Sequence, residues 1–207
     1  MKIYDISTLI HPDMIVYKNK PEKKPVITVV SDYEKSSSYE SKALLDMHVG
    51  THMDAPLHMI KDGTTIDNQD LYQCVTDCKV FDLTHVEEKI QMSHIKDYKI
   101  EKNDFIIFKT KNSYAKEFDF KFVFISTEVA EFLAEKKVKG VGIDALSVER
   151  DQPNHETHEA LLKNNIAILE GLSLKDIKEG KYFLIALPLK IKGAEGAPSR
   201  AILIDKL

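Results

Sequence analysis

The sequence predicts a mixed α/β fold: a partly antiparallel, barrel-like sheet with flanking helices. Two observations predict it. Strand-like runs outnumber helical ones, and the two kinds mix along the chain instead of separating into blocks. The chain of 207 residues, 43% hydrophobic and 30% charged, has the make-up of an ordinary soluble domain with a sizeable core, so a single domain over 1–207 is expected.

Runs rich in β-branched and aromatic residues read as strands at 2–6, 25–31, 43–48, 79–83 and 105–110. Further strands are expected at 140–144, 166–170, 182–187 and 201–204. Helical spacing is clearest over 127–137, where Val129, Phe132 and Leu133 make one face. A helix is expected at 93–98 with Ser93 as its cap, and short helices at 156–164 and 173–179. Two polar stretches, 10–25 and 147–157, are too long for plain turns, and long loops in a compact domain are commonly functional.

The most informative segment runs from His48 to His58. His48, His52, Asp54 and His58 occupy even positions, while Val49, Met53, Ala55, Leu57 and Met59 fill the odd ones, with Thr51 the exception. An extended backbone points alternate side chains to opposite faces. One face then carries three imidazoles and a carboxylate, and the other packs into a core. That donor set is suited to a transition-metal ion. Gly50 lies between His48 and His52 and no Glu follows His48, which argues against a zinc-protease helix. Pro56 excludes a strand or helix interior at that point, so the segment reads as extended chain turning into a loop.

Further candidate ligands lie in the carboxy-terminal half. His158 falls early in the helix expected at 156–164, and Glu170 ends an apolar strand, an unusual place for a surface carboxylate. Cys74 and Cys78 have no second pair, which excludes a disulfide framework or a four-cysteine zinc site. Structural zinc sites are usually closed and cysteine-rich. This donor set lacks cysteine, is rich in oxygen and has a spare imidazole, so catalysis is the expected use.

A net charge of -4 gives no electrostatic case for nucleic acid or an anionic membrane. The opening residues lack the apolar core of a signal peptide, and no apolar run approaches the about 18 residues of a membrane span. With two unpaired cysteines, a cytoplasmic protein is expected.

These residues resemble the cyclase-like metal-dependent hydrolase family that includes bacterial kynurenine formamidase. The main motif, His-x-Gly-Thr-His-x-Asp-x-Pro-x-His, is present in full from His48 to His58. His158, Leu161, Leu162 and Glu170 meet a second landmark, and the segments 4–7, 142–147 and 187–201 resemble the family as well. The resemblance implies a swivelling β/β/α fold. It assigns His48, His52 and Asp54 to one metal, and Asp54, as a bridge, with His158 and Glu170 to a second. His58 becomes the catalytic proton carrier. Many members carry a tryptophan in the amino-terminal loop; this chain has none, and Tyr17 stands there as the implied substrate contact.

The implied chemistry is amide hydrolysis. Zn(II), two ions per chain, suits the nitrogen and oxygen donors best, with Mn(II) second. A metal lowers the pKa of bound water toward ~7, so hydroxide is available to attack a carbonyl at neutral pH. No Gly-x-Ser-x-Gly nucleophile elbow is present. The expected activity is that of an arylformamidase, converting N-formylkynurenine to kynurenine and formate. The alternative is a cyclic amide, imide or lactone hydrolase using the same site. The resemblance also implies a homodimer or homotetramer.

Overall fold

The computed structural model describes residues 1–205. The chain opens with β1 (Ile3–Asp5), β2 (Val26–Ser31), β3 (Glu40–Leu44) and β4 (His52–Asp54). A single helical turn, α1 (Leu71–Cys74), runs directly into β5 (Val75–Asp82). β6 (Lys89–Ile90), α2 (Met92–Ile95), β7 (Phe105–Lys109), β8 (Phe124–Ile125) and α3 (Thr127–Lys136) follow. The chain continues through β9 (Gly140–Ile143), α4 (Glu156–Leu162), β10 (Ala167–Glu170), β11 (Gly180–Pro188) and β12 (Gly196–Asp205).

The main sheet has the order β1-β12-β11-β5-β7-β9-β10-β4, and β4 also pairs with β12. That last pairing closes seven strands into a barrel. Long β12 makes closure possible. One of its edges runs along β11, while the other takes β4 at Gly196–Pro198 and β1 at Ile202–Ile204. Closure removes the free edges that an open sheet would expose. Within this sheet β5, β7, β9 and β10 are parallel to one another and its remaining pairs are antiparallel, as the sequence predicts for a partly antiparallel, barrel-like sheet.

Strand alternation divides the apolar residues between two cores. Phe105, Ile107, Leu169, Met53, Leu184 and Leu203 fill the barrel interior. Ile106, Phe108, Val141, Ile143 and Ile168 point outward against Val129, Ala130 and Leu133 of α3 and Leu161 and Leu162 of α4. β7 is therefore buried along its whole length, as parallel strands covered on both faces are. α3 starts where the Ser126 hydroxyl accepts from the Val129 N–H at 3.3 Å and stops at Lys137 in the left-handed conformation. Phe132, read as part of its buried face, is half-buried and packs at the margin of the outer core.

Some expectations need correction. The segment 173–179 forms no helix. Leu174 and Ile177, three apart, both drop into the barrel interior and read as a helical face, but the backbone makes only one Ile177 N–H to Leu174 carbonyl turn. The strand expected at 43–48 ends at Leu44, because Asp46 turns the chain by accepting from the His48 N–H at 2.9 Å. α2 starts one residue before Ser93 and is capped by Gln91, whose reciprocal partner is His94. β2 and β3 pair only with each other, leaving Val26, Ile27, Val29, Val30 and Leu44 exposed.

Candidate metal centre

β4 is three residues long and wholly buried. It lies between β10 and β12, and its alternation sets the site. Met53 pairs opposite Leu169 and enters the barrel interior, so His52 and Asp54 turn to the outer face. On β10 the same rule sends Glu170, opposite His52, to that outer face. α4 crosses this face and supplies His158. His48 arrives from the turn before β4. His58 closes a 3-10 turn, Pro56–His58, that Pro56 is suited to start.

Six of the seven residues that the sequence singles out thus converge. His52 Nε2 lies 3.2 Å from Glu170 Oε2 and 3.5 Å from Asp54 Oδ1. His48 Nδ1 is 2.9 Å from Asp54 Oδ1. His158 Nε2 is 3.5 Å from Asp54 Oδ2 and 3.4 Å from Glu170 Oε1. The His58 ring lies tilted 4.1 Å from that of His48 and edge-on 5.6 Å from that of His158. His52, Asp54, His158 and Glu170 are buried.

Backbone contacts hold these side chains in place. His52 Nδ1 lies 2.9 Å from the Gly50 carbonyl, so its N–H donates there and Nε2 is the nitrogen turned to the centre. The Val148 N–H donates to Glu170 Oε1 at 2.6 Å. The Thr51 hydroxyl donates to the Gly171 carbonyl at 2.6 Å, tying the histidine segment to the end of β10. Gly171 has φ +65, and a Cβ there would meet the Gly50 oxygen at 2.1 Å, so only glycine permits this approach.

Burial opposes charge on His52, but Glu170 and Asp54 outweigh it and raise its pKa to about 9. Burial also opposes charge on His158, and the facing carboxylates of Asp54, Glu149 and Glu170 carry it well above the ordinary value. Glu170 resists both burial and the nearby Asp54 charge, and its histidine partners bring it down to about 2. Asp54 is likewise held well below the carboxylate range despite burial. His58 behaves oppositely: burial, together with the His48 and His158 charges, pushes it down.

The cluster fits a divalent cation. His48 Nε2, His52 Nε2 and both Asp54 oxygens are buried without a hydrogen-bond partner among the described residues. Orphaned polar atoms are costly, and a cation bound in place of the protons satisfies them. The donor atoms of His52, Asp54 and Glu170 lie within 4.8 Å of one another, as do those of His48, Asp54 and His58. Asp54 is common to both groups. This grouping differs from the division implied by the resemblance, which sets His52 with His48 and leaves His58 free.

Tyr17 is the one candidate outside the cluster. It begins a 3-10 turn, Tyr17–Asn19, with its ring edge-on to Phe118 at 5.5 Å. Phe118 and Ile15 line a cavity of about 690 Å3 formed with residues of the 111–122 segment, Leu146 and Leu172. Sequence reasoning passed over Glu149, buried behind His158, and Glu195, whose Oε1 is 3.4 Å from His48 Nε2. Each lies within a segment singled out above, 147–157 or 187–201, but no periodicity separates it from a surface acid.

Residues 4–150 match the model of the putative cyclase family. The chain belongs to that family. It is 34% identical to kynurenine formamidase of Salinibacter ruber, over 99% of this chain and 98% of the relative. A solved structure described as a potential metal-dependent hydrolase with cyclase activity superposes with a TM-score of 0.93 at 46% identity, covering 100% of this chain and 98% of the other. Isatin hydrolase A from Labrenzia aggregata, bound to benzyl benzoate, shares the fold with a TM-score of 0.87 at 21% identity, over 99% and 94% of the two chains. The chain is a metal-dependent amidohydrolase, acting on a carbon–nitrogen bond other than a peptide bond. No helix among the described residues is long and apolar enough to cross a membrane.

Proposed function

We propose that this chain is an arylformamidase that hydrolyses N-formylkynurenine to kynurenine and formate. The carrying observation is the buried set of His52, Asp54, His158 and Glu170 with half-buried His48 and His58 beside it, in a chain 34% identical to a kynurenine formamidase over nearly its full length. Two divalent ions, zinc before manganese, are held by His48, His52 and Asp54 and by Asp54, His158 and Glu170. When bound, such ions activate water near neutral pH and polarise the formyl carbonyl.

The remaining steps belong to the side chains. Asp54 and Glu170 are ionised without external help, so the centre is ready at neutral pH. His58, kept neutral by burial and by its charged neighbours, takes a proton from the attacking water and delivers it to the leaving nitrogen. Tyr17 and Phe118 supply flat apolar surface for the substrate ring. A homodimer or homotetramer, in the cytoplasm, with the 10–25 loop near the pocket, completes the reading.

Rates for N-formylkynurenine against cyclic amides, imides and lactones, in metal-replete enzyme, test it. Formamide hydrolysis is expected to dominate. No formamidase activity beside brisk ring opening would overturn the formamidase reading and leave a cyclic amide or lactone hydrolase.

A further inference from the structure

Glu149 lies in the loop between β9 and α4 and is 4% exposed. Its two oxygens face three nitrogens. Oε2 accepts from the His158 backbone N–H at 3.2 Å. Oε1 lies 3.2 Å from Nδ1 of the His158 ring and also against Nδ1 of His155. The other nitrogen of His158 faces Asp54 and Glu170, as described above. One imidazole therefore has the metal centre on Nε2 and Glu149 on Nδ1. The Nδ1 contact is off the hydrogen-bond axis, and this buried atom has no hydrogen-bond partner among the described residues, which leaves the Glu149 carboxylate as the acceptor within reach.

His155 secures the carboxylate from outside. It caps α4 in the left-handed conformation, φ +55, with its ring exposed to solvent and its Nδ1 turned in to Glu149. A residue other than glycine rarely takes that conformation without a compensating contact. Here the contact is with Glu149.

We propose that Glu149 is a positioning residue that holds His158 as an Nε2 metal ligand, with His155 clamping Glu149 from the solvent side. The proposal rests on the reading of His158 as a ligand. An imidazole that coordinates through one nitrogen needs its tautomer and ring angle set, and a carboxylate on the other N–H sets both. Glu149 also accepts from the His158 backbone, so ring and main chain are fixed by one group. Glutamine would offer one acceptor oxygen to three donors; aspartate would keep both oxygens and the charge on a shorter stem.

The test is competitive Zn(II) titration of the purified protein and of Glu149→Gln, Glu149→Asp and His155→Gly. Circular dichroism of the metal-free forms checks folding, and absorption spectra of the Co(II) forms report the ligand field. Glycine accepts the positive φ at 155 and removes the ring. Glu149→Gln is expected to weaken zinc binding by about 10- to 100-fold and to alter the Co(II) spectrum. Glu149→Asp is expected to recover part of the loss, and His155→Gly to show a smaller, few-fold weakening. Wild-type zinc affinity and spectrum in Glu149→Gln would overturn the proposal alone. Should that variant fail to fold, His155→Gly decides: weakened binding supports the clamp and an unchanged titration overturns it. The donor atoms of Glu149, His155 and His158 also lie within 4.8 Å of one another. Loss of one whole equivalent of zinc in His155→Gly would place a cation among them and overturn the positioning role. A wild-type chain that takes up no zinc would fail the metal reading itself.

Discussion

The two faces of β4 and β10 differ as much as any two regions of the molecule. Met53 and Leu169 enter the barrel interior among apolar side chains. Their sequence neighbours His52, Asp54 and Glu170 point outward, equally buried, into a cluster of imidazoles and carboxylates. The inner face is stabilised by removing apolar surface from water. The outer face opposes that tendency, since buried charge is costly unless paired. Strand pairing can hold both because side chains alternate with a period of two, so a slip of one residue would exchange the faces. A metal centre on the outside of a barrel thus draws its rigidity from an apolar core one residue away.

The comparison breaks most completely at Asp54, the residue common to both donor groups. Asp54→Ala is expected to abolish activity and metal retention together, exceeding the about 100-fold typical of losing a group behind a ligand. Chelation should do the same to the wild type, with activity restored by zinc or manganese. Retained metal in Asp54→Ala, by elemental analysis, would remove this carboxylate from the ligand set.

His58→Ala is the next largest. Turnover is expected to fall on the order of 10²-fold or more with most of the metal kept, as for loss of a general acid or base. Metal lost as readily as in His48→Ala would make His58 a ligand, which its place in the His48–Asp54–His58 group permits.

Met53→Ala addresses the inner face. Met53 is fully buried, and truncation is expected to lower stability by about 2–5 kcal/mol. Thermal unfolding reads that loss, and folded protein should bind metal in wild-type stoichiometry. A variant of unchanged stability that lost its metal would show the two faces to be coupled in a way that alternation does not explain.

The smallest effect is expected at Tyr17, outside the cluster. Tyr17→Ala should raise KM for N-formylkynurenine several-fold with kcat little changed, in keeping with the about 0.5–1.5 kcal/mol of an aromatic pair. An unchanged KM would take Tyr17 out of substrate binding and leave the metal chemistry as it is. Light scattering checks the oligomer; a fully active monomer at micromolar concentration would end the proposed dimer or tetramer.

Legibility in the sequence followed the range of the interaction. Within the His48 to His58 segment alternation was legible over His52–Asp54, where Met53 is buried in the barrel opposite His52 and Asp54, while His48 and His58 lie in turns on either side that alternation did not foresee. Strands such as Phe105–Lys109 and Ala167–Glu170 were legible from their runs of apolar, β-branched or aromatic residues, also a property of adjacent positions. The 173–179 stretch misled because two apolar residues three apart satisfy a helical pattern whether or not the backbone continues it. Glu149 was illegible: its burial depends on α4 and the loop before it folding over one another, and nothing adjacent in sequence marks it.

The sequence by itself determined which donors are present, which way those of β4 turn, and that strands dominate, because propensity, ligand chemistry and alternation are local properties. Only the tertiary structure decided that β12 would pair with β4 to close the barrel, that Glu170 would stand opposite His52, and that α4 would bring His158 and Glu149 onto the same outer face. Those outcomes depend on which strands find one another and in what register. They are set by burying two cores at once, a property of the whole chain and not of any one segment.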